Sequence, residues 1–137
     1  MKEKLQNFIY TEKLLALLYR KAAALAPTST ERNALLGFSQ EATQNQAYLN
    51  YLYKQEFGTN YDPMIPEQVV QGNYRDILVE IVKQELESFL LYRGQTYFQD
   101  NKELGETLRY ISDVKLGHIL AVQSILIAMS NQNTPNE

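Results

Sequence analysis

The sequence predicts an all-α fold, a four-helix bundle, on three observations. Apolar residues recur at steps of three and four along four long segments, Gly and Pro gather in the gaps between them, and a Thr or Asp followed three places on by Glu precedes two of them. A chain of 137 residues, 45% apolar and 21% charged, suits one ordinary globular domain. We read residues 1–129 as that domain and 130–137 as a polar tail.

The first helix is expected over about Lys4 to Leu25, with Leu5, Phe8, Glu12, Leu15, Tyr19 and Ala22 on one stripe, stopping before Pro27. Thr28 and Glu31 form a capping-box pattern, so a second helix opens there and runs to about Phe57, ended by Gly58. A third is expected from about Asn73 to Phe98, with Leu78, Val82, Glu85, Phe89 and Tyr92 inward. Asp100 and Glu103 repeat the capping pattern before a fourth helix, whose stripe is Leu104, Leu108, Ile111, Lys115, His118, Val122, Ile125 and Met129. The link from Gly58 to Gly72 could span roughly 50 Å when extended, more than the ~43 Å length of the second helix. Two antiparallel hairpins joined by a long crossover are therefore expected.

Composition narrows the function classes. A net charge of -3 lacks the basic footprint of a nucleic-acid or anionic-membrane partner. The absence of cysteine removes disulfides, thiolate metal sites and thiol nucleophiles, and permits the cytoplasmic location we expect. The most apolar run, Ile119 to Met129, is too short to span a bilayer. With His118 the single histidine, oxygen ligands would have to complete any metal site in the chain. Tyr48, Tyr51, Tyr53 and Tyr61 are either a surface suited to a homodimer or the lining of the crossover.

Polar residues interrupt the apolar stripes: Glu12, Glu41, Glu85, Lys115 and His118, with Gln44 near Glu41. Burying such groups is costly unless they are partnered. Their heights coincide. Glu12 lies fifteen residues before Pro27, and Glu41 and Gln44 lie fourteen and seventeen after it. Glu85 lies fifteen before Asp100, and Lys115 and His118 lie fifteen and eighteen after it. Tyr19 and Tyr92 follow Glu12 and Glu85 by two turns. The spacing predicts one polar layer at mid-height.

These residues resemble the ferritin-like superfamily, and within it the rubrerythrin-like carboxylate proteins, whose site is a Glu from each of two helices and Glu-x-x-His from each of the others. Glu12 through Tyr19, Glu41-Ala-Thr-Gln44, Glu85 through Tyr92 and Lys115-Leu-Gly-His118 are similar to the four motifs in turn. The resemblance implies Glu12, Glu41, Glu85 and His118 as metal ligands and Tyr19 and Tyr92 beside them. Gln44 stands where the family has His and Lys115 where it has a bridging Glu. An ammonium cannot bridge cations, so the implied di-iron centre is degenerate and full oxidoreductase activity is not expected. The expected occupant is at most one Fe, Mn or Zn ion, held by Glu41, Glu85 and His118. The competing expectation is a metal-free structural or partner-binding bundle in which Lys115 neutralises the carboxylates.

Overall fold

The computed structural model describes residues 2–95 and 102–132, in which the secondary structure is helical throughout. Four long helices follow one another: α1 Lys2–Leu25, α2 Ser29–Phe57, α3 Tyr74–Gln95 and α4 Lys102–Gln132. The expected end of the third helix at Phe98, the Asp100 cap and residues 133–137 of the tail lie outside the described residues. Residues 130–132, expected in the tail, form the last turn of α4. The chain divides into two compact units, Met1–Ile77 and Leu78–Glu137.

In the first unit, α1 and α2 form an antiparallel hairpin. Every expected residue of the α1 stripe, from Leu5 to Ala22, is buried. Thr28 caps α2 by accepting from the Glu31 amide at 3.2 Å, and its hydroxyl donates to the Glu31 carboxylate at 2.9 Å. Gly58 ends α2 in the left-handed region, φ 80°, with its amide bonded to the Lys54 carbonyl.

The crossover then runs back along this hairpin. The Asn50 side chain brackets the backbone of Tyr61 with two hydrogen bonds, of 2.9 and 2.8 Å. Lys13 Nζ donates to Asp62 at 2.8 Å and to the Pro63 carbonyl at 2.6 Å. A short 3₁₀ turn at Glu67–Val70, not foreseen from sequence, packs on α1. Beyond it Tyr74 lies near Glu31 at the start of α2, its hydroxyl buried without a hydrogen-bond partner among the described residues; burial first, then the Glu31 charge, raises its pKa to about 12. Tyr53 is buried against Phe57 and Tyr61, so this part of the tyrosine run lines the crossover, while Tyr51 is exposed.

In the second unit α3 and α4 pair antiparallel, since Glu85 meets Lys115 and His118 while Arg93, eight residues on, meets Asp113. Leu78, Ile81, Glu85, Ser88 and Tyr92 are buried on α3, and Leu104, Leu108, Ile111, Lys115, His118 and Val122 on α4. Val82, Phe89, Ile125 and Met129, expected inward, are half-buried. By length and composition α4 is long and apolar enough to cross a membrane. The apolar run expected to be too short, Ile119 to Met129, is the second part of a longer helix that begins at Lys102.

Candidate functional site: a buried Glu85, Lys115 and His118 triad

One turn of α4 carries Lys115 and His118 on the same face, because residues three apart on a helix are neighbours. Both aim at Glu85, midway along α3. Lys115 Nζ donates to Glu85 Oε1 at 2.8 Å, and His118 Nδ1 lies 2.8 Å from Glu85 Oε2. Burial is deep: side-chain exposure is 1% for Glu85, 2% for Lys115 and 7% for His118. The Lys115 ammonium also lies 5.3 Å from the centre of the Tyr92 ring, within cation–π range.

The electrostatics follow from that geometry. Burial alone pushes the Glu85 carboxyl up, but the Lys115 charge and the His118 hydrogen bond outweigh it and lower the pKa to about 2. Glu85 is therefore ionised at neutral pH and acts only as an acceptor, which requires His118 to carry its proton on Nδ1. Each carboxylate oxygen has its own donor. One turn along α3, the Ser88 hydroxyl is buried without a hydrogen-bond partner among the described residues.

The other expected site residues belong to the first unit. Glu12 is wholly buried on α1, as its stripe position requires. Tyr19 is also buried and packs edge-on to Phe38, with ring centres 5.5 Å apart. Glu41 and Gln44 correct the expectation of inward-facing side chains: both are exposed. The buried face of α2 is set by Leu35, Ser39, Ala42, Leu49 and Tyr53. Glu41 stands about 100° around the helix from Ala42, and Gln44 about 200°. Equal height along the axis did not bring equal phase.

Gln44 instead lines an open groove of about 440 Å³ with Arg20, Leu36, Ser39, Gln40 and Thr43. That lining offers amides, hydroxyls and a guanidinium, with no carboxylate or imidazole. Among the described residues no group of three or more His, Asp and Glu side chains could hold a metal ion. The triad does not fit a di-iron group: it supplies one carboxylate and one imidazole, and the third position carries an ammonium already spent on that carboxylate.

Sequence reasoning missed Ser88 and the Arg93–Asp113 ion pair. Ser88 had a signal, since it sits three residues after Glu85 and four before Tyr92 on the same buried face.

No protein-family model and no curated protein matches the chain. Two solved structures do. A hypothetical protein from Pyrococcus furiosus is 18% identical, with a TM-score of 0.82 over 98% of this chain and 92% of that one. A structure titled as CopM in a silver-bound form obtained by soaking is 8% identical, with a TM-score of 0.76 over 90% of this chain and 91% of its own. At such identities the likeness establishes a shared all-helical fold and nothing about activity.

Proposed function

We propose that the chain is a divergent ferritin-like, rubrerythrin-like helical protein that serves a structural or partner-binding role, with an internal cation where the resemblance implies a metal. The observation that carries this reading is the Glu85 carboxylate, engaged at 2.8 Å on each oxygen by Lys115 and His118. Two antiparallel hairpins and a long crossover support the ferritin-like part, since that connectivity belongs to one class of four-helix bundle.

The charge argument favours the metal-free form. A dication near Glu85 would have to displace or deprotonate a buried ammonium, and repulsion between like charges a few ångström apart is strong in a weakly polarisable interior. Removing Glu41 and Gln44 from the interior takes away two further donors. Oxidoreductase chemistry of the family's kind has no support from this donor set. The absence of cysteine suits the cytoplasm.

The test is elemental analysis of the chain after loading with Fe(II), Mn(II) or Zn(II) and desalting. Less than about a tenth of an ion per chain is expected. One ion per chain, lost in both Glu85→Gln and His118→Ala, would overturn the proposal and restore the single-metal reading.

A further inference from the structure

The groove that Gln44 lines lies within the first unit, between α1 and α2. Its floor is held by packing. The buried Ser39 hydroxyl donates to the Ala16 carbonyl at 2.8 Å and ties the two helices together, and the Thr43 hydroxyl donates to the Ser39 carbonyl at 3.0 Å. At about 440 Å³ the groove has the size of a small-molecule site, which runs from roughly 300 to 1,000 Å³.

Helix geometry orders the lining. The bond between Ser39 and Ala16 sets the antiparallel register, and in it Arg20, one turn beyond Ala16, stands level with Leu36, one turn before Ser39. Gln40 and Gln44 follow Leu36 at steps of four, which places their carboxamides about 6 Å and about 12 Å farther along the same face.

The chemistry of these groups selects the ligand. Arg20, Gln40 and Gln44 are exposed, and their side chains form no hydrogen bond or ion pair among the described residues. The lining thus carries one positive charge and no negative one; Glu41 stands about 100° around the helix from Gln40, outside it. A single guanidinium forks onto one planar carboxylate of matching charge, whereas a phosphate dianion would keep a charge unmatched. A carboxamide both donates and accepts, which suits an amide better than a second charge. Leu36, 39% exposed, offers an apolar wall at the Arg20 end.

We infer that this groove binds a small organic carboxylate that carries an amide, of the type of an N-acylated apolar amino acid. Its carboxylate lies on Arg20, its apolar side chain on Leu36 and its amide against Gln40 and Gln44. No residue of the Glu85 triad lines the groove, so a metal found at the triad would leave this binding untouched.

Titration of the isotope-labelled full chain with N-acetyl-leucine, followed by NMR, tests it. The Arg20 Nε–H and the Gln40 and Gln44 carboxamide signals should shift saturably, with a dissociation constant on the order of 1 to 10 mM, as suits a ligand of about a dozen heavy atoms in an open groove. N-acetyl-leucinamide, which keeps the amide and side chain but lacks the carboxylate, should bind about tenfold more weakly. Arg20→Ala should cost about the same factor, and Arg20→Lys about threefold, because an ammonium has no fork. The comparison of the two ligands needs no variant and decides even if one misfolds. No saturable shift up to about 50 mM, binding of N-acetyl-leucinamide or inorganic phosphate as tight as that of N-acetyl-leucine, or unchanged affinity in a folded Arg20→Ala would overturn the inference.

Discussion

Glu85 is a carboxylate almost entirely out of water, and it stays ionised because two donors meet it, one on each oxygen. The sign of its pH linkage is fixed by the direction of its shift. Its pKa is lowered from 4.5 to about 2 on folding, so its contribution to stability is fully present above pH ~4.5 and is lost as pH falls toward ~2. Urea denaturation across that window should show the wild type losing stability, with a shallower loss in Glu85→Gln; equal slopes would remove Glu85 from the account. Lys115 is the complementary case. Lys115→Met leaves Glu85 buried without its cation and should destabilise the chain by about 3–5 kcal/mol in the presence of chelator. An unchanged melting temperature would mean that the ammonium is not needed. At this scale the sequence was readable where phase was unambiguous. Lys115 and His118 share a face by their spacing, and Glu85 lies at their height counted from the turn, as one member of the wider layer expected there. Glu41 has the expected height along the axis, but the rotation that buries Ala42 and Leu49 turns it toward solvent.

The helices are terminated by local chemistry, and their ends were legible for that reason. Thr28 opens α2 and Gly58 closes it, as expected from one hydroxyl and one residue free of a Cβ. Thr28→Ala should cost about 1 kcal/mol by loss of the bond to the Glu31 amide, measured by denaturant midpoint. Gly58→Ala should cost a similar amount, about 1 kcal/mol, because φ 80° crowds a side chain. No change in either midpoint would show that α2 is held by packing alone. The start of α3 uses a reciprocal pair, Asn73 and Asp76, in which the Asp76 amide donates to Asn73 Oδ1 at 2.8 Å. Gly72 before it has φ 138°, and a Cβ there would meet Asp76 Cβ at 3.0 Å. The 3₁₀ turn at Glu67–Val70 was not legible, since four residues carry no helical period and its packing against α1 is a tertiary effect.

Across the whole molecule, the all-helical class and the two hairpins were legible because periodic apolar stripes demand burial. The crossover's length was legible too, but its anchors were not. Lys13 and Asn50 fasten it through side chains that hydrogen-bond the backbone of Pro63 and Tyr61, contacts that no local periodicity announces. The outer leucines of α3 and α4, Leu86, Leu90, Leu116 and Leu120, were not legible as exposed, because an apolar residue carries no mark of which face of a helix meets solvent. On the proposed reading Lys115 and Glu85 form one energetic unit, the ammonium neutralising the buried carboxylate at 2.8 Å. A double-mutant cycle in chelator, with Glu85→Gln, Lys115→Met and the combined variant followed by urea denaturation, measures that unit directly. A coupling free energy between about 1 and 3 kcal/mol is expected; a coupling below about 0.3 kcal/mol, with the two costs simply adding, would show that the ammonium and the carboxylate do not act together.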